Sequence, residues 1–361
     1  MRITAVTTHL LSSRFDYGNP AGPGGNLHLR DMDTLLVRVD TDAGLIGWGE
    51  GFGFTLAATT RDAVDRLIGP ACLGQDARDI AGLMRLLGRR LHNFGRDGAV
   101  TFGLSAIDIA LWDLAGKAAG KPLHALLGGA ARTRVPAYAS LLRYGDAALV
   151  RENAARAVGL GYRWIKLHET SLEAIGAARE VAPKAVPLML DLNCHWDTVS
   201  QAVGFAQAVA GLGIGWVEEP VWPPEDFSAI AGVRKEAGVA IAAGENCAGV
   251  DGFRRMIEAG AVDVVQPSVT KVGGVSALLE VAALARAAGL RLVPHSPYFG
   301  PGLLATLHVL AAAEVEEPLE VYFADLAEPP YPALIPRDGF VAVPEGPGLG
   351  LEPDTALLAR R

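Results

Sequence analysis

The chain has 361 residues, half of them hydrophobic and 20% charged, with 43 glycines spread along its length, a composition that fills a sizeable core and excludes a disordered chain or a small stapled scaffold. Forty acidic residues against 32 basic ones leave a formal net charge of −8, the wrong sign for a sequence-blind binder of nucleic-acid phosphates. Three cysteines, Cys72, Cys194 and Cys247, form no CxxC pair and indicate neither a disulfide frame nor a thiolate zinc site.

From the N-terminus, MRITAVTTHLLSS is too short in apolar residues and too rich in threonine for a signal sequence. Stretches such as Val281 to Leu290 are cut by Arg286 before they reach membrane-spanning length. The expected form is a homo-oligomer in a reducing cytoplasm, with no membrane or nucleic-acid partner. Asp16 to Gly25 is too rich in glycine and proline for regular structure and is expected to be a loop suited to a lid. Thr34 to Val39 and Leu45 to Glu50, joined by Thr41-Asp42-Ala43-Gly44, predict a β-hairpin. From Ala57 to about Leu127 the apolar spacing becomes helical, and Ala106, Ile107, Ile109, Ala110, Leu111 and Leu114 predict a broadly buried helix that stops near Gly120-Lys121-Pro122. Residues 1–129 are therefore expected to form an α+β module.

After Val135, short apolar strands alternate with alanine-rich helices, and the strand candidates end in YASL, WIKLH, LMLDLN, WVEEP, AAGEN, VVQPS, LVPHS and LEVYF. Eight such units match an α/β barrel. Lys166, Asp191, Glu218, Glu245, Ser268, His295 and Glu320 follow one another at intervals of 23 to 27 residues, the length of one strand, one helix and two loops. Each then sits at the carboxyl end of its own strand, and in a closed barrel those ends converge on the face that carries chemistry. Polar strand ends that simply meet water could account for some of these residues singly. They account poorly for three consecutive strands ending in carboxylates.

Asp191, Glu218 and Glu245 present oxygen ligands only, which suit a hard divalent ion, Mg²⁺ first and Mn²⁺ as a surrogate. Glu219 points to the opposite side of its strand and is expected to support the ligands or form a packing-layer salt bridge. Lys166 and His168, two apart, share one side of their strand; a lysine beside a metal and other cations loses pKa, and the pair reads as a general base with its charge partner. Asn193 either binds a substrate hydroxyl or caps a turn. His295 lies across the barrel mouth from Lys166 and His168, placed for acid or base work on the opposite face of a substrate, unless it is a core histidine. Glu320 is either a protonated hydrogen-bond donor to an enolate or the partner of a nearby cation.

With these residues in hand, the chain resembles the mandelate racemase and muconate lactonizing enzyme family of the enolase superfamily along nearly its whole length. The matching signatures are GWGE, the helix AIDIALWDLAGKAAGKPLHALLGG, KxH in WIKLH, LDLN, VEEP, AGEN, QPSVTKVGG and PHS. The resemblance implies a modified (β/α)7β TIM-type barrel over residues 130–324, covered by an α+β capping domain built from residues 1–129 and a returning C-terminal segment, 325–361. It implies Mg²⁺ on Asp191, Glu218 and Glu245, and abstraction of the proton α to a carboxylate to give an enediolate held by the metal, with Lys166 neutralising charge. By position His168 matches the second lysine of the family's KxK. Ser268 stands where the family has an Asp or Lys, so His295 lacks its usual carboxylate partner, and Lys271 lies three residues too far along to be that lysine.

A dehydratase of a hydroxylated carboxylic acid, an acid sugar by preference, is the leading expectation: His168 takes the α-proton and His295 protonates the departing β-hydroxyl. A racemase or epimerase, a cycloisomerase, and a dehydratase of a hydroxylated imino acid are the alternatives. A noncatalytic sugar-acid binder is disfavoured by the intact ligand set and KxH. The small carboxylate substrate is expected to meet Asn193, Ser268, Lys271, Glu320 and Tyr17, with specificity set by Tyr17 to Asn19, His28 and the turn Gly51 to Phe54.

Overall fold

A computed structural model of the chain describes residues 1–19, 31–128, 132–331 and 334–359. Three antiparallel strands, β1 (Ile3–Asp16), β2 (Asp31–Thr41) and β3 (Ile46–Gly51), form most of the four-stranded capping sheet. The predicted hairpin is β2–β3, with Leu36 opposite Glu50 and Gly44 at φ 74 in its turn, a conformation that favours glycine. The long strand β1 was not predicted, and it carries Asp16, the first residue of the expected loop. Pro20 to Gly25 of that loop, and His28, lie outside the described residues.

The helix Ala99–Ala119 lies across β3, and the glycines of GWGE let it approach: a Cβ on Gly49 would stand 1.8 Å from the Ala106 carbonyl oxygen. By length and apolarity this helix could cross a membrane, but 72% of its most apolar window is buried inside the protein. An apolar helix of this kind belongs in a core.

Eight parallel strands follow: β4 (Arg134–Ser140), β5 (Ile165–Leu167), β6 (Leu188–Asp191), β7 (Ile214–Glu218), β8 (Ile241–Ala243), β9 (Val264–Val265), β10 (Arg291–Leu292) and β11 (Leu319–Tyr322). Their hydrogen-bonded order is β10-β9-β8-β7-β6-β5-β4-β11. A helix follows each strand from β4 to β10, whereas the next element after β11 is a strand of the C-terminal segment. The repeat is thus the modified (β/α)7β barrel that the resemblance implied. Tyr138, Met189, Trp216, Ala242, Val264 and Val293 close the interior as an apolar plug, so the polar residues above it face a floor rather than a channel.

The C-terminal segment touches both parts. Its strand β12 (Asp325–Leu326) pairs with β1 of the capping sheet, whereas β13 (Phe340–Ala342) pairs with the first half of β4. Asp113 on the buried helix fastens the parts together, accepting the Trp48 N–H of β3 at 2.9 Å and the Leu349 N–H of the tail at 2.8 Å.

Candidate active site

Lys166 lies within β5, Asp191 and Glu218 end β6 and β7, and Glu320 lies within β11. Glu245, Ser268 and His295 stand two or three residues beyond short strands, in loops that keep the strand direction; Ser268 and His295 still form a parallel bridge. All seven gather at one end of the barrel.

Lys166 is the hub. Its Nζ is 2.8 Å from Glu320 Oε1 and 3.1 Å from both Asp191 Oδ2 and Glu218 Oε1, all fully buried. Burial opposes the ammonium, but Glu218, Glu320 and Asp191 outweigh it and raise the Lys166 pKa well above its ordinary value. Among these carboxylates the group is an ammonium. Glu320 is correspondingly held below its usual range: burial opposes its charge, and Lys166 and His295 prevail. It is the cation partner rather than the protonated donor, and its Oε2 accepts the Ser296 N–H at 2.7 Å.

An oxygen from each of Asp191, Glu218 and Glu245 lies within 4.8 Å of the others. The set is carboxylate only and unlike in charge state: burial and Asp191 push Glu218 up to about 7, while Glu245 is pulled down to about 2 because His295 and Lys271 overcome its burial. Such crowded acids fit a hard divalent cation. Their outer contacts aim them, with Trp216 Nε1 and Gln266 Nε2 donating to Glu218 Oε2 at 3.1 and 2.8 Å. Glu219 is buried behind the set, accepting from Asn246 Nδ2 at 2.8 Å and facing the Cys194 thiol at 3.4 Å. Its side-chain partners are an amide and a thiol rather than the cation of a salt bridge.

His168 donates from Nδ1 to the Leu141 carbonyl, which turns Nε2 into the site, 3.1 Å from Asp191 Oδ2. Burial opposes its charge, but Asp191 raises its pKa. Across the mouth, His295 sets Nε2 2.8 Å from Glu245 Oε2. The cavity between them is roofed by Phe15, Phe52 and Phe54 of the capping domain and also lined by Arg143, Asn193, Lys271 and Tyr322. Lys271 lies over the Phe52 ring and donates to Asn246 Oδ1 at 3.1 Å.

Two expected substrate contacts, Ser268 and Tyr17, do not line the cavity, whereas Asn193 lines it and also bonds a carboxylate. Ser268 is buried behind His295, with its Oγ 3.0 Å from Nδ1, so it faces the histidine and not the cavity. Tyr17 is buried and stacked on Tyr144, their rings 6.0 Å apart, and Phe15 takes the place in the cavity wall. Asn193 turns both its backbone N–H and its side-chain amide to Asp191 Oδ1 at 3.0 Å, so the amide holds a ligand. Sequence reasoning missed Arg143, whose Nε donates to the His168 carbonyl at 2.7 Å. It follows the first barrel strand by three residues, and the strand-end rule applied to YASLLR would have found it.

Comparison with known proteins agrees with this geometry. Residues 29–128 match the mandelate racemase/muconate lactonizing enzyme N-terminal domain, and residues 149–357 match the enolase C-terminal domain-like family. The D-galactarolactone cycloisomerase of Agrobacterium fabrum is 35% identical over 98% of this chain and 96% of its own. The arabinonate dehydratase of Saccharolobus solfataricus is 30% identical over 88% of both. A crystal structure of a racemase from Streptomyces coelicolor with bound magnesium superposes with a TM-score of 0.87 at 30% identity, over 99% of each chain.

Proposed function

The chain belongs to the mandelate racemase and muconate lactonizing enzyme family of the enolase superfamily, and from that premise we propose that this enzyme eliminates water from an acid sugar, by loss of the α-proton and then of the β-hydroxyl. Relatives named as an acid-sugar dehydratase and a sugar-lactone cycloisomerase support this class of reaction, and dehydration is the member of the class proposed. The observation that carries it is the pair of imidazoles on opposite sides of the carboxylate cluster, His168 turned inward by Leu141 and His295 turned inward from the far strand.

Asp191, Glu218 and Glu245 would hold magnesium, which supplies positive charge beside the substrate carboxylate. Lys166, already an ammonium among acids, donates to that carboxylate and stabilises the negative charge that develops on it as the α-proton leaves. His168 Nε2 takes the α-proton. The electron pair of the C–H bond becomes the Cα–Cβ double bond, the β C–O bond breaks, and His295 gives its proton to the departing oxygen, so water leaves. The enol product then becomes a 2-keto-3-deoxy acid. Phe15, Phe52 and Phe54 keep bulk water from the intermediate.

The similarity to a lactone cycloisomerase supports a second reading, in which the leaving oxygen belongs to a ring and no water is lost. Mass spectrometry of magnesium-loaded enzyme with aldonates, aldarates and their lactones separates the two: dehydration lowers the product mass by one water, isomerisation leaves it unchanged. In D₂O, His295→Asn is expected to keep α-proton exchange while elimination falls by about 100-fold or more, and His168→Asn to lose both. If each variant instead retains exchange for one enantiomer and no eliminated product forms, the enzyme is a racemase and the proposal fails.

A further inference from the structure

Of the cations that line the cavity, Arg143 is the one whose charge no acid meets. Lys166 is enclosed by three carboxylates, and Lys271 donates to Asn246 Oδ1 over the Phe52 ring, where its charge helps to pull Glu245 down. Arg143 stands three residues past β4 and meets only neutral oxygens: its Nε donates to the His168 carbonyl at 2.7 Å, and its Nη2 reaches Asn193 Oδ1 at 3.5 Å. It makes no ion pair among the described residues, and no Asp or Glu lies outside them. The loop that carries it is stitched to the strand end that carries His168. Leu141 O accepts from His168 Nδ1, and Glu169, buried and next to His168 in the chain, accepts the Tyr144 and Gly145 N–H groups at 2.6 and 3.1 Å. The guanidinium is thus tied to the same backbone that presents His168 Nε2.

With Nε engaged, Nη1 and Nη2 still offer an end-on fork, two parallel N–H groups that match the two oxygens of a carboxylate. A hydroxyl would take one of them and bring no charge. Leaving the cation unmatched becomes more costly once a substrate fills the cavity beneath Phe15, Phe52 and Phe54 and displaces water from it. We propose that Arg143 is a specificity-determining residue that binds a second carboxylate of the substrate, so that the preferred acid sugar is a diacid, an aldarate or its monolactone, rather than an aldonate. The proposal rests on the reading above in one respect, that the first carboxylate lies at Lys166 and the magnesium site. Anchoring both ends also holds the α-carbon against His168 Nε2.

Hydroxamates chelate magnesium and have no β-hydroxyl to lose, so they read the second carboxylate without turnover. Isothermal titration of the magnesium-loaded protein compares the monohydroxamates of succinate, glutarate, adipate and pimelate with the aliphatic hydroxamates of the same lengths. At the chain length that spans the cavity, the wild type is expected to bind the diacid derivative about 30-fold more tightly than its partner. Arg143→Met is expected to shrink that ratio to within about threefold, and Arg143→Lys, a second variant should the first fold poorly, to shrink it to about tenfold, because it keeps the charge and loses the fork. Arg143 also braces the His168 carbonyl, so a variant that loosens the site weakens both members of a pair; the ratio is insensitive to that. Among sugar acids, kcat/KM for an aldarate is expected to exceed that for the aldonate of matching configuration by about tenfold or more in the wild type, and by less than about threefold in Arg143→Met. Equal binding of both hydroxamates at every length, or a diacid preference that survives Arg143→Met, overturns the proposal. Should no acid sugar lose water, the reaction assigned above fails, and the hydroxamate ratio still decides the role of Arg143.

Discussion

Each oxygen of Glu218 answers to a different neighbour: Oε1 faces the Lys166 ammonium, and Oε2 accepts from Trp216 and Gln266. A glutamine in its place must turn its amide N–H₂ either to the ammonium or to two N–H donors, so it loses a ligand charge and also the geometry that aims the remaining oxygen. Glu218→Gln is accordingly expected to weaken Mg²⁺ binding by about 100-fold in isothermal titration; unchanged affinity would remove Glu218 from the ligand set. Residues of this kind were legible because one βα unit has a nearly constant length, and the spacing therefore marks strand ends. Spacing does not say which side of a loop residue faces the cavity. Glu245, Ser268 and His295 all lie past their strands, yet Glu245 and His295 reach the cavity and Ser268 turns behind it. The surroundings of Lys166 were illegible for a related reason, since one of its partners, Glu320, is 154 positions away in the chain.

At the scale of elements, the capping domain is held to the barrel by buried acids that meet backbone N–H groups. Glu50, at the end of GWGE, accepts the Gly302 N–H at 2.8 Å, at the start of the helix that follows the His295 loop. Asp113 ties β3 to the tail and is 2.8 Å from Lys117 Nζ. The sequence shows why the helix Ala99–Ala119 is buried, because its apolar residues cover every face. It does not show the partners of Asp108 and Asp113, which are fixed by segments far along the chain, Ser276 and Leu349. Asp113→Ala leaves the buried Trp48 and Leu349 N–H groups without this acceptor and takes one carboxylate from the Lys117 ammonium, which keeps Glu352 and the Ile46 carbonyl, a change expected to cost about 3 kcal/mol. Urea unfolding followed by tryptophan fluorescence measures it; a loss under about 1 kcal/mol would mean that water replaces the carboxylate.

The whole molecule is closed where three distant segments meet at a pair of stacked histidines. His308, on the barrel helix Pro301–Ala312, donates from Nε2 to the Leu349 carbonyl of the tail at 3.1 Å. Its Nδ1 is then an acceptor, and His124 Nδ1, 3.0 Å away on the helix that leads from the capping domain to the barrel, must carry the proton between them. The rings stack at 5.2 Å. A second proton on His308 would enter a buried position already filled by a donor. Burial first, and the neighbouring His124 as well, lower its pKa from 6.5 to about 4. The unfolded chain therefore binds this proton first as pH falls. Stability from this site is complete above about pH 6.5, declines between 6.5 and 4, and changes no further below that. The decline is expected to reach about 2 kcal/mol by roughly pH 5. Carboxylates titrate in the same range, so the measurement is a difference: urea unfolding of wild type and of His308→Gln at several pH values between 7 and 4.5. The variant, which has no proton to refuse, is expected to start less stable at pH 7 and to lose less as the solution is acidified, so that the two curves converge. Parallel curves would mean that His308 binds its proton as readily in the folded protein as in the unfolded chain, and the junction would then be indifferent to pH.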